Sequence, residues 1–185
     1  ALVGEVATRG SGGDPTTTVM ELALAFGSSR DAALTLSRTS LDAPFSQLKA
    51  QYEEGWLGYL EKLQQSPLNA KSKFIFESAF ARRSAQIIKM HEDKKNRGMI
   101  AASLSKPGIP DGDRAPNGNS GGYHLIWPRD LYHAAMGLLA AGDLETPMDV
   151  LRAYARTQRP EGSWWQNFYV NGQPYWRGLQ MDQAA

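Results

Sequence analysis

Cysteine is absent from the 185-residue sequence, which excludes disulfide bonds, thiolate metal sites and a cysteine nucleophile. Long apolar runs are missing too, since no stretch approaches the ~18 residues that a membrane span requires. An excess of one charge sign is also missing: 20 Lys and Arg residues stand against 19 Asp and Glu residues, a net charge of +1. The composition therefore gives no reason to expect a membrane or a nucleic acid as a partner.

Histidine is scarce as well, with three residues in the chain. His91-Glu92 begins a His-Glu-x-x-His zinc pattern, but Lys95 stands where the second histidine is needed. His124 and His133 have no carboxylate at an obvious relay spacing in the sequence, so we interpret both as structural histidines. We expect no metal site and no cofactor.

The most informative stretch is residues 123–130, Tyr-His-Leu-Ile-Trp-Pro-Arg-Asp. Pro128 favours a first helical turn, which places Arg129 and Asp130 where a loop becomes a helix. Tyr123 and Trp127 can cover the apolar face of a sugar, while a forked cation and a carboxylate can hold its hydroxyls. The alternative interpretation is a buried tryptophan beside a structural Arg–Asp pair.

A second aromatic stretch spans residues 161–182. Four of the five tryptophans lie beyond position 120, in loops rather than in the periodic segments where core tryptophans are expected. Their polar neighbours indicate the wall of a cleft for a polar ligand, although Trp164 and Trp165 could equally be structural. On chemistry alone, the acids embedded in the two stretches are the catalytic candidates, with a third in reserve: Asp130, Asp182 and Glu161.

Three segments together resemble glycoside hydrolase family 15, in particular its bacterial glucoamylase and glucodextranase branch. They are YHLIWPRD, GSWWQNFYVNGQPYW and GLQMDQ, and the likeness extends over nearly the whole chain. The resemblance implies an inverting, exo-acting hydrolase that releases glucose from the non-reducing ends of α-glucans such as starch, maltodextrin or dextran. The substrate partner is then an α-glucan or an oligosaccharide.

The resemblance also changes the expected roles of the acids. Both catalytic residues of the family are glutamates on later loops, and no residue here matches either motif. The general acid and base are therefore expected beyond residue 185, and the chain alone should be inactive. Four residues are implied to line the site of the non-reducing sugar: Tyr123, Trp127, Arg129 and Asp130. Trp176 matches a tryptophan that supports the transition state, and Asp182 retains the acid of the family's Gln-Leu-Asp-Glu pattern, although Gln183 replaces its glutamate.

The order of elements predicts a mainly α fold. A strand is expected over residues 1–7, and a second, half-buried strand is expected where large apolar side chains alternate with smaller ones from Val19 to Phe26. The longest helical pattern covers residues 69–97, and Thr146 is expected to cap a later helix. Asn171-Gly172 predicts the turn of a small hairpin.

Helix pairs joined by long loops indicate an α/α toroid, and the resemblance implies its six-pair form. We expect the first helices of a partial (α/α)6 toroid, preceded by a short antiparallel β remnant and a linker helix. The implied domains are the end of an N-terminal β-sandwich-like domain at 1–45, the linker helix at 46–68 and a truncated catalytic domain at 69–185. The remainder of that domain would cover helix faces left exposed here.

Two interpretations from other classes stay open. One is a non-catalytic, helical carbohydrate-binding module, and the other is a helical interaction fragment whose aromatic residues form a core. The sequence does not distinguish α-1,4 from α-1,6 linkages. The localisation is also open, with a secreted bacterial protein slightly favoured over a cytoplasmic one.

Overall fold

The computed structural model describes residues 2–10, 18–69, 78–104, 123–178 and 180. The described part contains two β-strands and five α-helices, so the predicted mainly α fold class is confirmed. The chain divides into two compact units, Ala1–Gly58 and Tyr59–Ala185. Each unit is described separately below.

The first unit starts with an antiparallel pair of strands, β1 (Leu2–Gly10) and β2 (Thr18–Phe26), in which Leu2 lies opposite Phe26. Helix α1 (Arg30–Asp42) packs on both strands. It begins at Ser29, whose Oγ accepts a hydrogen bond from the backbone N–H of Ala32 at 3.2 Å.

The two faces of β2 differ in exposure. The smaller side chains form its covered face, where Ala25 is buried, and α1 in turn buries Ala33 and Ser37. The large apolar side chains instead point outward and are 62–74% exposed. They are Met20, Leu22, Leu24 and Phe26. Helix and sheet approach through small residues, so the strand is half-buried as predicted but on the face with the smaller side chains.

Helix α2 (Phe45–Gln65) continues into the second unit, which also contains α3 (Ala79–Met90), α4 (Pro128–Ala140) and α5 (Glu145–Thr157). Helix α4 packs against both α3 and α5. The main core of this unit combines residues of α4 and α5 with residues of the loops before and after them. Its buried members are Met99, Ile100, Ala101, Ile126, Leu131, Ala135, Leu138, Val150, Ala153 and Phe168.

Helix α3 ends at Met90, before the end of the predicted helix over 69–97, and residues 70–77 of that prediction lie outside the described residues. Ser78 caps its start by accepting a hydrogen bond from the N–H of Ala81 at 3.3 Å. Beyond Met90, the carboxylate of Glu92 accepts from the N–H of Gly98 at 2.8 Å, and Asp93 accepts from the N–H of Asn96 at 2.7 Å. These side chains offer the backbone partners that a helix does not provide, so the chain turns here instead of continuing.

Helix α5 begins before the predicted cap Thr146, with Leu144 at the N-cap position and without a side-chain cap hydrogen bond from that residue. The Asp143 carboxylate accepts hydrogen bonds from the N–H of Thr146 at 2.9 Å and from its hydroxyl at 2.7 Å. Tyr59 also donates to Asp143 at 3.0 Å, and Lys89 donates to the Thr146 hydroxyl at 2.6 Å and to Glu92 at 2.5 Å. A buried polar network thus joins α2, α3 and α5 within the second unit.

This network predicts an alkaline limit to stability. Burial, and next the charge of Asp143, raise the pKa of Tyr59 far above its ordinary value of 10.0. Above that value the unfolded chain loses the phenolic proton while the folded chain keeps it, so the free energy of unfolding falls as the pH rises. The contribution of Tyr59 to the fall of the unfolding free energy with pH should stay below about 1.4 kcal/mol per pH unit. That value is the limit for one proton, and Tyr59 stays below it because it is only partly buried.

Urea unfolding between pH 8 and 11 measures this effect. The Tyr59→Phe variant loses a hydrogen bond and should be less stable at pH 8, but its stability should decline less steeply with pH. Tyr52→Phe is the matched control, since Tyr52 is 64% exposed, and its profile should parallel that of the parent. Equal slopes for the parent and Tyr59→Phe would contradict the prediction.

Candidate substrate-binding site

The first aromatic segment, residues 123–127, is held in place before α4 by backbone hydrogen bonds. The N–H of Ser103 donates to the carbonyl of Tyr123 at 2.9 Å, and the N–H of Ala102 donates to the carbonyl of Leu125 at 3.0 Å. Trp127 keeps an extended backbone (φ −102°, ψ 135°) at the N-cap, and Pro128 occupies the first turn. The proline thus begins the helix where the sequence predicts it.

The second aromatic segment is joined to the first by backbone hydrogen bonds. The N–H of Ile126 donates to the carbonyl of Phe168 at 2.9 Å, and the N–H of Phe168 donates to the carbonyl of Ile126 at 3.0 Å. Both side chains are buried in the main core, at 0% and 1% exposed. The segments are therefore fixed relative to each other by both backbone and core contacts.

The second segment folds back on itself at the predicted turn. The N–H of Tyr169 donates to the carbonyl of Gln173 at 2.8 Å, and Gly172 has a φ of +84°, a conformation that favours glycine. Phe168 forms an isolated bridge with Pro174 on the returning arm. The hairpin is consequently a turn with isolated bridges, without two regular strands.

This arrangement brings three of the predicted site residues together. The ring centroids of Tyr123 and Trp127 lie 5.8 Å apart, and those of Trp127 and Trp176 lie 6.2 Å apart with planes at 71°. Trp127 is 7% exposed, whereas Tyr123 is 50% exposed. The contact between the two tryptophans is edge to face, an arrangement that aromatic pairs favour. The cluster is thus a continuous aromatic surface with an accessible end at Tyr123.

Arg129 and Asp130 lie in the first turn of α4, directly after this surface. The Nη2 atom of Arg129 is 3.3 Å from the Oδ2 atom of Asp130, and the two side chains are 49% and 39% exposed. The acid gains from the helix dipole at this end. Tyr154 donates to the carbonyl of Pro128 and so ties the turn to α5. A cation and a carboxylate are therefore accessible on a fixed backbone.

Two other tryptophans have structural contacts. The Nε1 atom of Trp164 donates to the carbonyl of Tyr154 at 3.1 Å, and the two rings meet edge to face at 5.3 Å. Trp165 lies under the guanidinium of Arg159, 4.0 Å from the ring centroid. Arg159 in turn forms an ion pair with Glu161, the reserve acid of the sequence analysis. These contacts favour the structural interpretation of both tryptophans.

The histidines also have structural contacts. A ring nitrogen of His124 is 2.8 Å from the carbonyl oxygen of Leu104, and His133 packs edge to face on Tyr132 at 5.3 Å. Asp182 lies outside the described residues.

Asn167 belongs to the site architecture, although the sequence analysis gave it no role. Its side chain is fully buried, and its Oδ1 atom accepts a hydrogen bond from the N–H of Trp176 at 2.8 Å. Its carbonyl accepts from the N–H of Tyr175 at 3.0 Å. Asparagine in a loop is usually read as a turn residue, and only the hairpin geometry reveals this contact.

Metal-binding clusters and membrane-spanning helices are both absent from the described residues. No group of three or more His, Asp or Glu side chains in this part of the chain could hold a metal ion. Within the same part, no helix has both the length and the apolar character to cross a bilayer.

Two comparisons with known proteins match parts of this chain. Residues 1–61 match the family described as glucodextranase, domain N. An uncharacterised glycosyl hydrolase from Methanocaldococcus jannaschii is 33% identical over 63 residues, which are 34% of this chain and 10% of that protein. Both matches cover about a third of this chain, and both carry names of glycoside hydrolases.

Two further matches are more specific and extend over most of the chain. A glucoamylase from Clostridium sp. (strain G0005) is 38% identical over 165 residues, which are 89% of this chain and 22% of that protein. A crystal structure of a bacterial glucoamylase complexed with acarbose matches with a TM-score of 0.70 and 35% identity, over 90% of this chain and 23% of the other.

The predicted resemblance to the bacterial glucoamylase and glucodextranase branch of glycoside hydrolase family 15 is therefore confirmed. The structural match also supports the expectation that the helices are the first members of an (α/α)6 toroid. The chain spans about a fifth of the length of the glucoamylase relative.

Proposed function

We propose that the protein containing this chain is an inverting, exo-acting α-glucoside hydrolase that releases glucose from the non-reducing ends of α-glucans. The aromatic cluster of Tyr123, Trp127 and Trp176, followed by the accessible Arg129–Asp130 pair, carries the proposal. The similarity to a glucoamylase whose crystal structure contains acarbose, an oligosaccharide analogue, supports a sugar as the ligand of this cluster.

The proposed roles follow from the chemistry of each side chain. The tryptophan and tyrosine rings present apolar surface to the C–H face of a sugar ring. The Arg129 guanidinium can donate two parallel hydrogen bonds to a ligand, and the Asp130 carboxylate can accept hydrogen bonds from it, so the pair can hold several sugar hydroxyls. Asp182 is proposed as a further substrate-binding residue.

Catalysis is assigned to carboxylates outside this sequence. Glycoside hydrolysis needs one acid to protonate the leaving oxygen and a second carboxylate to activate water. The sequence matches neither glutamate motif of the family. Of the three acids considered for this chemistry, Asp130 and Glu161 each form an ion pair with an arginine. Asp130 is therefore proposed to bind substrate and not to transfer protons.

The proposed domain organisation places the substrate-binding residues in the first part of the catalytic domain. Residues 1–45 would end an N-terminal β-sandwich-like domain, residues 46–68 would form the linker helix and residues 69–185 would begin the catalytic domain. Several large apolar side chains of α3, α4 and α5 are 45–83% exposed. They are Phe80, Ile87, Met90, Tyr132, Met136, Met148 and Leu151. We propose that the remainder of the catalytic domain covers them.

Glucose release by the complete protein tests the function. Maltose and isomaltose are supplied separately, and nuclear magnetic resonance follows the anomer that appears first. We expect the glucose from the non-reducing end of at least one disaccharide to appear as the β anomer, because inversion of an α-glucoside gives the β anomer. The glucose from the reducing end appears with the anomer ratio of the disaccharide, so an initial excess of α-glucose over that ratio would contradict inversion. Binding of acarbose without any hydrolysis would favour the non-catalytic carbohydrate-binding module.

A further inference from the structure

We infer that Asn167 is a positioning residue that holds Trp176 against Trp127. The Oδ1 atom of Asn167 accepts the hydrogen bond from the N–H of Trp176 at 2.8 Å, and the Trp176 ring lies 6.2 Å from the Trp127 ring. The consequence for ligand binding rests on the proposed function, whereas the consequence for the two rings does not.

The neighbouring backbone makes this contact a link between both aromatic segments. Phe168, the next residue, exchanges two hydrogen bonds with Ile126, which directly precedes Trp127. Asn167 itself receives hydrogen bonds from two consecutive residues of the returning arm, one at its carbonyl and one at its side chain. Trp176 is thus hydrogen-bonded directly to Asn167, and Trp127 directly follows the residue that is hydrogen-bonded to Phe168.

The burial of Asn167 indicates that the carboxamide is present for this one bond. The residue is 0% exposed, and its Nδ2 atom has no hydrogen-bond partner among the described residues. A buried unpaired N–H group is unfavourable, so an apolar side chain of similar size would fill the same space at less cost. Such a side chain would lack the Oδ1 acceptor, and this acceptor fixes the backbone of Trp176.

Loss of this acceptor should release Trp176 without removing any group that contacts a ligand. The N–H of Trp176 would then be buried without a partner, and the returning arm would move to satisfy it. Displacement of a substrate-contacting ring by a small distance reduces the rate strongly. We expect Asn167→Leu to lower kcat/KM and the affinity for acarbose on the order of tenfold in the complete protein.

The direct readout is the exciton couplet that two close indole rings produce in far-ultraviolet circular dichroism. Trp127→Phe and Trp176→Phe identify the contribution of this pair to the spectrum. Asn167→Leu should lose that contribution. Asn69→Leu is the matched control, because Asn69 is also buried and its Nδ2 atom donates to the carbonyls of Leu63 and Ala141, each at 2.8 Å. This control should lower the melting temperature but leave the couplet and kcat/KM unchanged.

Asn167→Asp provides a second test, since it keeps an oxygen acceptor at the same position. A folded Asn167→Asp protein should retain the couplet, and its loss would overturn the inference. Retention of the couplet in Asn167→Leu would overturn it as well. The couplet does not depend on hydrolysis, so a protein that releases no glucose would contradict the proposed function while the couplet still decides the role of Asn167.

Discussion

Asp130→Asn in the complete protein should lower kcat/KM for α-glucosides at least ~10-fold, because each 1.36 kcal/mol of lost transition-state stabilisation is tenfold in rate. In its proposed role, the carboxylate accepts hydrogen bonds that strengthen as the sugar ring flattens toward an oxocarbenium ion. The pair is exposed without a ligand, but a bound sugar would cover it, and removing one partner of a buried charged pair costs ~2–5 kcal/mol. Initial rates at low substrate concentration measure the effect.

Arg129→Lys should give a loss of similar size, because lysine keeps the charge and loses the forked geometry. The thermal stability of both variants should change little, since an exposed ion pair contributes only ~0–1 kcal/mol. Glu145→Gln is the matched control: Glu145 is the acid in the first turn of α5, its side chain is 72% exposed, and it lies 3.8 Å from Arg97. Its kcat/KM should equal that of the parent.

A kcat/KM for Asp130→Asn within about twofold of the parent would contradict the glucose-pocket assignment. The structural ion pair would then be the better interpretation of Arg129 and Asp130. An equal loss in Glu145→Gln would point to a general electrostatic effect and would contradict the assignment too.

Residues 1–185 alone should release no measurable glucose from maltose, isomaltose or starch. The sequence supplies proposed binding groups but neither the acid nor the base, and loss of both should remove most of the rate enhancement. The complete protein, assayed at the same molar concentration, is the positive control. Circular dichroism must first show that the polypeptide is helical. Reproducible glucose release by such a sample, after contaminating hydrolases are excluded, would place the catalytic groups within this chain.

Local chemistry explains which parts of the fold could be predicted. Helix α4 begins at Pro128 as expected, and Gly142 follows its end with a φ of +93°, where other residues would be strained. The turn at Asn171-Gly172 was predictable for the same reason. In each case the residue type restricts its own backbone, so the sequence contains the answer locally.

Features that depend on distant partners could not be predicted in this way. Thr146 is a suitable capping residue, but it lies inside α5, where its hydroxyl donates to Asp143 and accepts from Lys89 of another helix. The alternation in β2 shows that the strand has two faces, but α1 decides which one is covered. Pattern analysis does not include such partners.

The candidate site shows the same difference between features that a local residue determines and features that depend on distant partners. Sequence resemblance nominated Tyr123, Trp127 and Trp176, and the structure brings their rings together. The role of Asn167 could not be nominated, because it arises from pairing with a residue nine positions later across the hairpin. The resemblance thus predicts the groups that face a ligand better than the groups that hold them.

The two-way bridge between Ile126 and Phe168 has a consequence for protein engineering. A loop transplanted from a related enzyme would have to match a backbone ladder and a buried phenyl ring that belong to the other loop. Residues 123–130 and 164–176 should therefore be exchanged together when specificity is to be changed. A chimera that receives one segment alone would combine aromatic rings from two proteins, and their packing contacts would not match.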